Sequence, residues 1–335
     1  MDPTSHVPLG KTSLSVTLLG LGSAPLGGLF DAVADETAHG VVQHAYDAGL
    51  RFYDTAPLYG YGSAERRLGH VLSRQPRDEF VLATKVGRLI RPPETVSSNL
   101  DAGGAGQFRG APPLVPMFDF SYDGVMRSFE DSLERLGVDR IDVLHIHDPD
   151  DYFEQALSGA YKALDKLRSE GTIKALGSGM NQAEMLARFA READFDCFLV
   201  AGRYTLLDQA ALPELLPICE RKGIAIIIGG VYNSGILANL DVPERATFNY
   251  QPAEQRWLDK ARRIKAVCDR HGVPIQAAAL QFPLAHPAVA TVLTGARSIA
   301  ELDQNLTFMR QPIPADLWQE LKSEGLLPAE APTPS

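Results

Sequence analysis

The sequence predicts an α/β fold, specifically an eight-stranded (β/α)8 TIM barrel, and three observations carry that expectation. Eight short apolar runs recur along the 335 residues, each followed by a polar or glycine-rich loop and a longer stretch of helical periodicity. The runs are nearly continuous in apolar residues, as strands buried on both faces are. Strand–helix units in series give a parallel sheet with right-handed crossovers, and eight such units close into a barrel. An open doubly wound sheet is the competing arrangement. The phosphate loop it would carry after the first strand is absent, because "GLGSAPLGG" has the wrong glycine spacing.

The predicted strands are 17–22, 51–55, 80–85, 141–147, 173–178, 197–201, 224–230 and 289–295. "VPLGKTSLSV" before the first of them reads as a short hairpin. Helices are expected over Asp35–Ala48, Ser63–Leu72, Ser121–Leu136, Phe153–Glu170, Asn181–Ala193, Pro213–Lys222, Glu254–His271 and Ser298–Met309. Further helical stretches are expected at Ile275–Leu284 and Ala315–Leu321. Five of these end on glycine (Gly49, Gly137, Gly171, Gly223, Gly272), the residue that most readily takes the left-handed conformation at a helix C-terminus. Two connections are longer than such units normally need, Gly87–Phe120 after the third strand and Val231–Ala253 after the seventh. The first carries Phe108, Met117, Phe118 and Phe120, apolar surface suited to a pocket wall or lid. No composition shift or repeat divides the chain, so residues 1–335 are expected to form one domain.

Composition narrows the function. A net charge of −10 without any Lys/Arg run argues against nucleic acid. Three widely spaced cysteines without a C-x-x-C pair suggest neither a disulfide framework nor a metal site. No leader and no membrane-length apolar run is visible, which makes the cytoplasm the expected location and a small molecule the expected partner. Oligomeric state has no signature in the sequence.

Four groups converge at the C-terminal rim of the predicted barrel. Asp54 ends the second strand in "RFYDT" and Tyr59 follows in its loop. Lys85 ends the third in "ATKVG", and His147 ends the fourth in "LHIHDPD". Singly, each has an ordinary structural explanation. Jointly they do not, because burying a lysine and an aspartate is costly unless they pair. A phenol titrates near pH 10, and an adjacent ammonium would favour its anion, so Tyr59 could exchange protons nearer neutrality. Asp54 would hold Lys85, and His147 could orient a substrate oxygen.

The motifs "GLRFYDTAPLYGYGSAERRLG", "ATKVG", "DSLERLGVDRIDVLHIHDP" and "VLTGARSIAELDQN" resemble those of the aldo-keto reductase family across nearly the whole chain. The resemblance implies a (β/α)8 barrel, a nicotinamide cofactor and a catalytic tetrad of Asp54, Tyr59, Lys85 and His147. It also implies that the eighth strand and its helix (Gly295, Arg297, Glu301, Asn305) hold the adenosine half. Glu301 stands where relatives often have a basic or amide residue. It would repel a 2′-phosphate and accept from a ribose diol, which favours NAD over NADP. Ser298-x-x-Glu301 is equally a helix capping box. Around the nicotinamide the chain departs from its relatives, with Gly179-Met180, Ala201 and Gly229 at the usual contact positions, leaving Asn181, Arg203 and Tyr232 as substitutes. Phe30, Phe108 and Phe118 are expected to line the substrate pocket.

These departures, with "GSAPLGGLF", "HDPDD", "AGRYTLLDQ" and "GGVYNSGIL", resemble the bacterial branch that oxidises cyclic hemiacetals to lactones. The expected reaction is NAD-dependent oxidation of an aldose at C1, of the L-fucose or D-threo-aldose type. The alternative is oxidation of pyridoxal at C4. A non-catalytic nicotinamide-binding regulatory subunit is the reading from another class, and an intact tetrad argues against it.

Overall fold

The computed structural model describes residues 1–104, 106–238, 240, 247–249 and 251–334. A two-stranded hairpin, β1 (His6–Pro8) with β2 (Ser15–Thr17), leads into β3 (Leu19–Gly22), β4 (Phe52–Asp54) and β5 (Val81–Val86). Next come β6 (Arg88–Arg91), β7 (Val115–Phe118), β8 (Val143–His147), β9 (Ala175–Met180), β10 (Cys197–Ala201) and β11 (Ala225–Gly229). The last three are β12 (Thr247–Phe248), β13 (Gln251–Pro252) and β14 (Val289–Thr294). Strands β3, β4, β5, β8, β9, β10, β11 and β14 pair in that order, all parallel, and β14 returns to β3 to close the barrel. Each of the eight predicted runs supplies one of them.

Side chains of a strand alternate between faces, and here the alternation separates two apolar regions. Leu21, Tyr53, Leu82, Leu144, Ile146, Phe198 and Ile226 face outward into the layer under the helices. Phe52, Val81, Ala83, Val143, Ala175, Leu199, Ala225 and Ile227 fill the barrel interior. Leu9 and Val16 of the hairpin join that interior group and plug the N-terminal end. Counting two residues on from Phe52, Ala83 and His145 puts Asp54, Lys85 and His147 on the inward face at the opposite, C-terminal end. Register agrees, with Lys85 opposite His145 and His147 opposite Gly179. Beyond Ala175 the inward residues of β9 are the glycines Gly177 and Gly179, and a Cβ on Gly177 would stand 2.4 Å from His145 Nδ1. Their missing side chains make room for the histidine and the lysine.

Helix bounds follow expectation within a few residues, as with Ser63–Leu72 and with Tyr122–Leu136, which Ser121 caps through Gly124 N–H. The expected helix over Phe153–Glu170 is not uniform. Its stretch Ala156–Tyr161 is a π-helix between α-helical Phe153–Gln155 and Lys162–Ser169. The wide turn brings Gly159 against the Phe120 carbonyl, where a Cβ would lie at 2.4 Å. Periodicity cannot show such an insertion.

The connection over Gly87–Phe120 is more ordered than a loop: β6 and β7 pair antiparallel to form an arm over the rim. The arm starts at Gly87, with φ of 101°, where a Cβ would meet the Phe120 ring at 2.2 Å. Gly87→Ala is therefore expected to cost about 1–3 kcal/mol through a disfavoured backbone and a displaced ring, seen as a lower urea midpoint with unchanged slope. In the connection over 231–253, a turn at Asn233–Gly235 and the β12–β13 pair are described, while residues 239, 241–246 and 250 lie outside the described residues. Among the described residues no helix is long and apolar enough to cross a membrane.

Candidate active site

The rim brings the four predicted groups together. Lys85 is almost fully buried, and its ammonium donates to Asp54 Oδ2 at 2.6 Å and to the Thr55 carbonyl at 2.8 Å. The same ammonium lies 4.7 Å from the centroid of the Tyr59 ring, whose edge-on neighbour at 5.9 Å is the His147 ring. Sharp Pro/Gly turns after β4 hold Tyr59 over the barrel mouth, with Tyr59 N–H donating to Ala56 O.

The electrostatics differ from the sequence expectation at one point. Burial pushes the Tyr59 phenol well above its ordinary range, and the Asp54 and Asp148 carboxylates push the same way against Arg88. Lys85, ion-paired with Asp54, does not offset that rise. Burial likewise raises the Asp54 carboxyl, with the ammonium opposing. The His147 imidazole is held well below its ordinary range, first by burial and then by the charges of Arg88 and Lys85. His145, one layer deeper, is pushed down to about 3 by burial and by Lys85. The resting site thus presents a protonated phenol and a neutral imidazole.

Two adjoining cavities open above these groups. The first, about 200 Å³, runs from Ser23 and Pro25 past Asp54 and Tyr59 to Asn181, Gly229, Asn233 and Gly295. The second, about 550 Å³, is walled by Tyr59, Lys85, Arg88, Asp101, Phe108, His147 and Asn181, with Asp150, Gln182 and Arg203 farther out. Tyr59 and Asn181 belong to both, so the cavities meet at the phenol.

The remaining predicted residues divide. Asn181 lies on the shared wall, and Arg203 on the second cavity, where it donates to Asn249 Oδ1 at 2.8 Å. Phe30 and Gly295 line the first cavity and Phe108 the second. Phe118 lines neither. Its ring packs on Phe120 and Tyr152 with the Arg88 guanidinium 4.7 Å above it, because β7 pairs with β6 and turns that face inward to the arm's base. Tyr232 is also off both walls, its hydroxyl donating to Asn305 Oδ1 at 2.7 Å. Close approach at Gly295 is made by Pro25, whose Cγ would lie 2.4 Å from an added Cβ. Glu301 acts as a helix-capping group: it accepts from Arg297 N–H at 2.8 Å while Ser298 Oγ accepts from Glu301 N–H. The Arg297 guanidinium lies between Glu301 and Asp31.

Sequence reasoning missed Arg88, Asp101 and Asn233. Asn233 is buried on the first cavity's wall, accepting from Thr205 Oγ1 at 2.7 Å and donating to the Gly202 carbonyl at 3.1 Å. "GGVYNSG" offered a signal, since Asn tolerates the left-handed backbone that Asn233 adopts at φ of 47°.

The first cavity suits the polar, flat end of a dinucleotide. Several glycines line it, and the buried Ser23 Oγ and Asp54 Oδ1 on its wall have no hydrogen-bond partner among the described residues. Fold and comparisons together define a barrel oxidoreductase. The profile of the Aldo/keto reductase family matches residues 18–324, and the chain belongs to that family, whose members use nicotinamide cofactors. It is 44% identical to D-threo-aldose 1-dehydrogenase from Pseudomonas sp, covering 94% of this chain and 96% of that protein. It is 42% identical to pyridoxal 4-dehydrogenase from Microbacterium luteolum, covering 95% and 97%. Among solved structures, an aldo-keto reductase from Bacillus halodurans in its holo form shares the fold with a TM-score of 0.76 at 24% identity, over 98% of each chain.

Proposed function

We propose that the protein oxidises the hemiacetal carbon of an aldose, C1, to a lactone, with NAD⁺ as acceptor. The observation that carries this reading is the second cavity: beside the phenol its wall is rich in paired donors and acceptors (Arg88 with Asp101, Gln182, Asp150, Arg203), as a ring of hydroxyls requires. The similarity to D-threo-aldose 1-dehydrogenase supports it. Pyridoxal is the second reading, favoured by Leu29, Leu58 and Phe108 on one side of the same cavity and by the similarity to pyridoxal 4-dehydrogenase.

In this reading Asn181, Ser23 and the lining glycines hold the nicotinamide end, where the bound cofactor supplies hydride acceptance. Tyr59, as the phenolate, takes the hemiacetal hydroxyl proton and becomes the neutral phenol, and Lys85, fixed by Asp54 and the Thr55 carbonyl, steadies the phenolate before that transfer. His147, neutral, donates a hydrogen bond to the same substrate oxygen. Arg297, already neutralised by Asp31 and Glu301, offers little to a 2′-phosphate, which supports NAD over NADP.

The test is formation of reduced cofactor by absorbance, with NAD⁺ and NADP⁺ in parallel, against L-fucose, D-arabinose, L-galactose and pyridoxal. Sugar turnover with NAD⁺ is the expected result. Turnover of pyridoxal alone would move the substrate assignment, and no turnover of any of them would favour the regulatory-subunit reading.

A pH profile tests the phenol. Its pKa is raised, so the deprotonated fraction is small at neutrality and grows about tenfold per pH unit. The oxidation rate is expected to climb between about pH 6 and pH 9, while carbonyl reduction, which needs the protonated phenol, stays flat. An oxidation rate already level at neutrality would show that Tyr59 is not the proton acceptor.

A further inference from the structure

We propose that Arg88 is a positioning residue: one guanidinium straps the connection between β6 and β7, at Asp101, to the strand end that presents His147, so that the cavity wall and the placement of His147 are set together. This deepens the functional reading above and rests on it for the role of His147. Arg88 is 6% exposed. Its Nε donates to Asp101 Oδ2 at 2.6 Å, its Nη1 to the His147 carbonyl at 3.0 Å, and its Nη2 to Asp148 Oδ2 at 3.3 Å. Three donors of one rigid fork thus join the connection between β6 and β7 to the end of β8.

Both ends of the strap are placed to matter. Asp101 is itself 5% exposed and accepts from Gly104 N–H at 2.8 Å, which shapes the turn ahead of Gln107 and Phe108 on the cavity wall. Tyr61 pins the same turn, donating to Gly104 O and accepting from Gly106 N–H. At the other end Asp148 adopts φ of 43°, a left-handed conformation that is uncommon outside glycine, though aspartate tolerates it better than most residues. The contacts from Arg88 to Asp148 and to the His147 carbonyl supply constraint on both sides of that peptide, and Asp148 N–H adds a bond to the Gly179 carbonyl. Phe118 under the guanidinium completes the seat. A lysine could replace the charge but not the fork.

The experiment compares Arg88→Lys and Asp101→Asn with the wild type, first without any ligand. Amide exchange at residues 101–108 and the imidazole resonances of His147 are read by NMR, and thermal unfolding checks that each variant is folded. The expected result is faster exchange at residues 101–108 and shifted His147 signals in both variants. NAD⁺ affinity by calorimetry should stay within about twofold, since Arg88 and Asp101 do not line the first cavity. With a substrate that turns over, KM should rise and kcat fall by about 10- to 100-fold, the scale of a small misplacement at a reacting centre. Methylguanidinium should restore part of the rate to Arg88→Ala.

An unaltered arm and unaltered His147 signals in both variants would overturn the proposal, as would kinetics that fall only in proportion to lost folded protein. If the wild type turns over no hemiacetal, the functional reading fails while the ligand-free NMR comparison still decides whether Arg88 sets the arm and His147. If Arg88→Lys does not fold, Asp101→Asn carries the test, because it keeps the side chain's shape and one acceptor.

Discussion

Tyr59→Phe is expected to lower kcat by about 10²- to 10⁴-fold, the range over which a positioned proton-transfer group acts. The substitution removes one oxygen and keeps the ring that packs beside Lys85, Phe108 and His147. Stability and NAD⁺ affinity should therefore stay close to wild type, which separates loss of chemistry from loss of structure. Steady-state rates, thermal unfolding and calorimetric binding together make the measurement. Retention of a tenth or more of the wild-type kcat would assign the proton to another group.

Lys85→Met should be damaging in two ways. It strands the buried Asp54 carboxylate without its partner, and breaking such a pair typically costs about 3–5 kcal/mol. It also removes the charge beside the phenolate that must form before oxidation. The double variant Lys85→Met/Asp54→Asn distinguishes the two effects, since a neutral pair leaves no stranded charge. Its denaturation midpoint is expected to recover most of the loss, while its kcat stays as low as that of Lys85→Met alone. Recovery of both would mean that Lys85 serves the fold and not the reaction.

The parts of this site that could be read in advance are those governed by strand periodicity. A period of two places Phe52 with Asp54 on the inward face of β4 and His145 with His147 on the inward face of β8, and parallel strands bring all their C-terminal ends to one rim. So Asp54, Lys85 and His147 follow from local pattern plus closure. Arg88 was illegible for the same reason: Gly87 reverses the backbone and starts a new antiparallel pair, so the inward count from Lys85 does not extend to it. Phe118 shows the complementary failure. An aromatic residue in a long connection looks like pocket lining, but its pairing across from Arg88 turns it into a seat for a cation. At Glu301 the sequence supported a ribose contact and a helix cap equally, and in the structure the carboxylate serves as the cap. The rise of the Tyr59 pKa depended on how much solvent the arm excludes and on whose charge Lys85 already balances, quantities that exist only in three dimensions.

The hairpin formed by β1 and β2 has a bearing on traffic through the molecule. Leu9 and Val16 seal the barrel with hydrocarbon below His145, whose ring nitrogens find no partner among the described residues. That apolar layer turns traffic toward the two rim cavities above Tyr59. On the proposed function, dinucleotide, substrate and proton would share that mouth, and whichever occupies it last would set the schedule for the others.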